Sequence, residues 1–173
     1  MPEPCYRILW ELHRIRDLLY RSSPADSPIA QMATKIDKDA CRESYNLVRD
    51  DNNDVNWVIF KYAGHLIVPD SQGTNYEDFK LHCTSDCILF GFHRIITGDA
   101  MSKRAKFALI TWIGDGVAVL QRAKVSTDKS LVKEVVQNFA KEFVICDQQE
   151  LAEEYIKQEL EKTGGANYDA QLE

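Results

Sequence analysis

CILFGFHRIITGDAMSKRAKFALITWIG, residues 87–114, decides the fold. Two apolar runs flank a polar centre. Cys87 to Ile96 reads as a strand, and Phe107 to Ile113 is so apolar that both of its faces must be covered. A strand hidden on both faces needs a layer above and a layer below, so the core is a sheet between helices. Thr97 to Ala105 joins the two runs as a polar, basic loop.

Upstream, Trp57 to Tyr62 reads as a strand, and Ala63–Gly64 turns it into a second, Leu66 to Val68. Pro69 ends that strand or marks it as an edge. Tyr76 to Cys83 suits a short helix, with Tyr76, Phe79, Lys80 and Cys83 at helical spacing. Farther back, Asp37 can cap a helix running to about Arg49 with a stripe of Ala40, Cys41, Ser44, Leu47 and Val48. DDNND, residues 50–54, is a turn cluster.

Downstream, a helical region starts at Val117, with an interruption expected near Val125–Asp128. Leu131, Val132, Val135 and Val136 pack its second half. Phe143 to Ile145 is a short strand. Asp147 with Glu150 resembles a capping box opening a helix to Lys162. Leu151, Ala152, Tyr155, Ile156 and Leu160 form its buried stripe, and Gly164–Gly165 stops it. The order α-ββ-α-ββ-α-β-α predicts an α/β (α+β) fold, one mixed sheet sandwiched between helices.

Three segments are expected. Residues 1–31 are an extension, with apolar residues from Tyr6 to Leu19 at roughly helical spacing and a Ser/Pro linker at Ser22–Pro28. Residues 32–162 are the folded domain, and residues 163–173 a flexible tail.

Charge is unevenly spread. The 173-residue chain carries net −6, and residues 147–173 account for all of it, with eight acidic against two basic groups. From Arg94 to Lys133, in contrast, eight Lys/Arg face three Asp. A basic block in an acidic protein points to an anionic partner. Lys103, Arg104 and Lys106 lie at the mouth of the Phe107 strand, with Lys106 expected at the exposed end of the loop. Arg122, Lys124, Lys129 and Lys133 line the following helical region. Nucleic acid is disfavoured by the acidic pI and by the lack of aromatics between the basic residues. An acidic protein surface or an anionic lipid headgroup fits better.

Motifs for catalysis are missing. There is no phosphate-binding or dinucleotide-binding glycine loop and no nucleophile elbow. His13, His65, His82 and His93 show no metal spacing, and His93 reads as a packed or surface histidine. Five cysteines suit free thiols. Cys83-x-x-x-Cys87 lacks the second couple that zinc would need. No metal, no cofactor and no enzyme activity are expected; a cytosolic thiol enzyme using Cys83 or Cys87 is the alternative. No apolar run reaches the roughly 20 residues of a membrane span.

MATKIDKDACRESYNLVRDD (residues 32–51), GDAMSKRAKFALITWIG (98–114), LQRAKVSTDK (120–129) and LVKEVVQNFAKEFVI (131–145) resemble the coactosin-like members of the actin-depolymerising-factor homology family. The likeness runs from Met32 to the closing GGANYDAQLE; residues 1–31 have no counterpart. The resemblance implies a five- to six-stranded mixed sheet between helices. It implies binding along filamentous actin without severing or depolymerising it, with little affinity for monomeric actin. It implies a monomer of the cytoplasm and cytoskeleton, with the nucleus as a further compartment, and a second partner, arachidonate 5-lipoxygenase. The family's filament-binding lysine, in SKR-x-K, falls on Lys106 beside Lys103 and Arg104. Its lipoxygenase-contacting lysine falls on Lys162, expected at a site distinct from Lys106. A phosphoinositide-binding module using the same basic loop is a further alternative.

Overall fold

Period-two alternation sends the apolar side chains of a central strand to opposite faces. The computed structural model, which describes residues 33–163, shows what covers each face. In chain order the elements are β1 (Lys35–Ile36), α1 (Lys38–Arg49), β2 (Trp57–Ala63), β3 (Leu66–Gly73), α2 (Tyr76–His82), β4 (Ile88–Thr97), β5 (Arg104–Ile113), α3 (Val119–Val135), β6 (Lys141–Ile145) and α4 (Glu153–Lys162). The six strands form one sheet in the order β1-β3-β2-β4-β5-β6. The outer pairs, β1 with β3 and β5 with β6, are parallel; the inner pairs are antiparallel. The expected mixed sheet between helices is therefore present.

On one face, Val58, Phe60, Phe90, Phe92 and Leu109 meet Cys41, Tyr45 and Val48 of α1 and Val125, Val132 and Val135 of α3. On the other, Trp57, Ile59, Leu89, Ala108, Ile110 and Trp112 meet Tyr76 and Phe79 of α2 and Ile156 and Leu160 of α4. Each fully hidden Val, Leu, Ile or Phe among them contributes roughly 1.5–3 kcal/mol.

Several boundaries differ from the sequence expectation, each for a local reason. Asp37 does cap α1, its Oδ1 accepting from Ala40 N at 3.1 Å. The buried stripe, however, is Cys41, Tyr45 and Val48, because Tyr45 also anchors its hydroxyl by donating to Gln137 O at 2.6 Å. The two-residue β1 is too short to carry a pattern. β3 continues through Pro69 to Gly73: the register slips between Ile59 and Phe60, leaving Asp70 as an extra residue. Pro69 lies past Ile67, where β1 ends and β3 becomes an edge. β5 begins at Arg104, so the basic loop is shorter than expected.

α3 is a single helix across Val125–Asp128. The polar Asp128, only 3% exposed, needs no break because its Oδ2 accepts from Tyr62 Oη at 2.8 Å. α4 starts at Glu153 because Asp147 forms a turn, its Oδ1 accepting from Gln149 N and its carbonyl from Glu150 N. The stripe reduces to Leu151, Ile156 and Leu160, while Ala152 and Tyr155 are exposed. The extension of residues 1–31, the glycine stop and most of the 163–173 tail lie outside the described residues.

Close approach of α2 to the sheet depends on Gly91. A Cβ there would sit 2.7 Å from Phe79 Cε2. Two residues on, His93 presents the same face. It is 1% exposed, edge-on to Phe79 at 4.1 Å between ring centroids, and its Nε2 has no hydrogen-bond partner. Burial pulls its pKa down to about 3. His93 is thus a packed histidine, held neutral.

A pH signature follows from that pKa. The unfolded chain gains a proton at His93 below about pH 6.5, whereas the folded chain resists it. Stability from this source is full above about pH 6.5 and falls as pH drops toward 3, by up to ~1.4 kcal/mol per unit. Urea midpoints between about pH 7 and 5 should fall more shallowly for His93→Leu than for the unaltered chain. Equal slopes would exclude His93 as the source.

Candidate functional site

The β4–β5 hairpin owes its shape to its turn. Gly98 has φ 94°, a region that favours glycine, and a Cβ there would lie 2.2 Å from Ser102 O. The Asp99 carboxylate accepts from Met101 N at 3.0 Å, Ser102 N at 2.9 Å and Ser102 Oγ at 3.1 Å. Those bonds, led by the one from Met101 N, hold its carboxyl below the usual range. The fixed turn presents Met101, which is 95% exposed, together with exposed Lys103 and Arg104.

Lys106 does not emerge at the end of that loop, contrary to expectation. It sits inside β5, is 9% exposed, and donates from Nζ to Leu160 O of α4 at 2.7 Å. Counting back by twos from Trp112, Ile110 and Ala108 puts Lys106 on the face that α4 covers. That alternation was the available signal.

The α3 group also divides. Arg122 ties down the loop before its own helix, donating from Nε to Val117 O at 3.0 Å and from Nη2 to Gly114 O at 2.8 Å and Asp115 O at 2.6 Å. Lys129 and Lys133 both grip Glu142 of β6, Lys129 through Oε1 at 2.5 Å. Partial burial works to raise the Glu142 carboxyl, but the two ammonium groups outweigh it and hold it low. Lys124 is exposed beside a cleft of about 440 Å³ that it lines with Cys87, His65 and Asp128.

Lys162 is exposed at the end of α4, its Nζ on Glu159 Oε1 at 2.6 Å. Lys141, a residue that sequence reasoning missed, holds the other Glu159 oxygen at 2.5 Å. Between Lys141 and Lys162 the Glu159 carboxyl falls to about 2. Lys106 and Lys162, read from sequence as separate sites, therefore converge on the same helical turn. Of the seven basic residues assigned to one interface, Lys103, Arg104 and Lys124 face solvent, whereas Lys106, Arg122, Lys129 and Lys133 are turned onto the protein itself.

The Cys83 thiol argues against nucleophilic chemistry. Burial, with a contribution from neighbouring Cys87, pushes the Cys83 thiol up to about 12. A reactive thiol needs the opposite shift. Cys87 donates from Sγ to His82 O at 3.3 Å. Among the described residues, no group of three or more His, Cys, Asp or Glu is placed to hold a metal ion. Among them, too, no helix is long and apolar enough to cross a membrane.

Comparisons with known proteins bear on this surface. Residues 33–161 match the family described as cofilin/tropomyosin-type actin-binding protein. The chain is 69% identical over 142 residues to the coactosin-like protein of Bos taurus, covering 82% of this chain and 100% of that one. Crystals of human coactosin-like protein contain a similar structure, with 67% identity, a TM-score of 0.73, and coverage of 75% of this chain and 99% of that one. The solution structure of mouse coactosin, described as an actin filament binding protein, matches with 67% identity and a TM-score of 0.67, over 82% and 100% of the two chains.

The division of the basic residues can be checked by thermal melting. Arg122→Ala removes three donors to loop carbonyls and should cost about 2 kcal/mol. Lys124→Ala should stay within ~0.5 kcal/mol of the parent. Equal melting shifts for the two would contradict the division.

Proposed function

Because the chain belongs to the cofilin/tropomyosin-type family of actin-binding proteins, we propose that it binds along actin filaments with the β4–β5 hairpin as its leading contact. The observation that carries this reading is the pair Lys103 and Arg104, exposed on a hairpin whose turn Asp99 has already ordered. An ordered tip loses little conformational freedom on docking, and its cations suit an acidic surface. Exposed Lys124 stands apart from this tip, by the cleft it lines with Cys87 and Ile88 at the Ile88–Ile113 end of the ribbon, and forms a second, separate part of the proposed surface. Lys106, Arg122, Lys129 and Lys133 act through the scaffold, each holding an oxygen of the protein itself. Binding leaves filaments intact, neither severed nor depolymerised, and monomeric actin is bound weakly. The chain acts as a monomer in the cytoplasm and on the cytoskeleton, with the nucleus as a further compartment.

A second partner belongs to the same proposal. Lys162 stands exposed at the last turn of α4, where it suits a contact with arachidonate 5-lipoxygenase. Residues 1–31 are dispensable for the folding of residues 32–162 in this reading.

Co-sedimentation with filamentous actin tests the main reading. Raising salt from about 0.1 M to 1 M shortens the Debye length from ~10 Å to ~3 Å, so binding should fall steeply. Reversing two charges with Lys103→Glu and Arg104→Glu should weaken it at least about tenfold, with circular dichroism unchanged. Sedimentation indifferent to both salt and charge reversal would sink the proposal. Lys162→Ala should weaken lipoxygenase pull-down and leave filament sedimentation within about twofold. Flotation with phosphoinositide vesicles, absent any filament binding, would favour a lipid headgroup as the partner.

A further inference from the structure

Resting on the filament reading, we infer that Lys106 is a positioning residue: it holds the last turn of α4 against the start of β5 and touches no partner itself. An ammonium taken out of water must find a hydrogen-bonding partner. Lys106 finds Leu160 O, one of the last four carbonyls of α4, which have no acceptor role within the helix and lie at its negative end.

Leu160 O is a crowded anchor. It also accepts from Thr163 Oγ1 at 2.6 Å and from Thr163 N at 3.2 Å. The preceding residue, Glu159, is gripped by Lys141 of β6 and by Lys162. Two neighbouring strands thus each send a lysine to the same turn, one to its backbone and one to its carboxylate. To reach a filament, the Lys106 ammonium would have to abandon a buried hydrogen bond of 2.7 Å. Arg104 lies two residues earlier on the same face of β5 and is exposed, as are Glu161 and Lys162 on the helix. Of these, Arg104 is the filament-facing group that Lys106 sets in place, whereas Lys162 serves the second partner.

Lys106→Met keeps the apolar stem and removes the ammonium. We expect filament affinity to drop about tenfold, the salt dependence of binding to stay that of the unaltered chain, and amide exchange at residues 161–163 to quicken. Lys103→Met, which removes an exposed charge, should do the reverse: it flattens the salt dependence and leaves the exchange of α4 alone. A Lys106→Met protein that loses salt dependence with α4 unaltered would mark a direct contact and overturn the inference; so would unchanged affinity.

Amine footprinting of the unaltered chain decides the matter even where Lys106→Met does not fold. Lys106 should resist acylation with or without filaments, while Lys103 reacts when alone and is protected when bound. A Lys106 that reacts as readily as Lys103, or whose labelling changes on filaments, overturns the inference. Failure of the unaltered chain to sediment defeats the filament reading instead, and the amide exchange of Lys106→Met then shows whether Lys106 holds α4.

Discussion

Strands β4 and β5 pair from Ile88–Ile113 at one end to Thr97–Arg104 at the other, and both are apolar on both faces. Neither pair of helices could be lost without exposing half of this ribbon to water. Everything else answers that demand. α1 and α3 bring a mostly aliphatic layer with Tyr45 to one side, and α2 and α4 bring an aromatic and aliphatic layer to the other. Small residues set how near the helices come: Gly91 lets the Phe79 ring lie on the sheet, and Ala108 leaves room beneath α4. With both faces covered, the ribbon carries the hairpin turn at its Thr97–Arg104 end.

The sheet, its two layers and most of its elements were legible because apolar runs at strand and helix spacing are strong signals. What escaped was decided by partners distant in the chain. β1 is two residues long and exists only as an addition to β3. The Asp147–Glu150 pattern suits a cap, yet Asp147, six positions before the start of α4, spends its carboxylate on a turn. Tyr45 joins the buried stripe of α1 because its hydroxyl reaches the carbonyl of Gln137, 92 positions away. The site was legible in part. Lys103 and Arg104 could be read as exposed, whereas Lys106 depends on a helix that lies 54 positions away.

Counting charges along the chain also overstated the basic surface. Arg94 is largely hidden and donates to Asn56 Oδ1 and to the carbonyls of Asp50, Asn53 and Val55. Arg122, Lys129, Lys133 and Lys106 are likewise committed to oxygens within the protein. Long cationic side chains reach loop carbonyls and helix ends that no shorter residue could satisfy, and a hidden charge persists only with such partners. Much of the basic block is therefore scaffolding, and the part that meets solvent is small and well placed.

The irregular outer stretch of β3 has a consequence of its own. An unpaired strand edge invites another chain to add to it, and the risk grows with crowding. Here the edge past Ile67 holds Pro69, which has no amide hydrogen to offer, and the extra residue Asp70, whose carboxylate is paired with Lys61 at 3.4 Å. Copies shaped this way can crowd together without their sheets fusing.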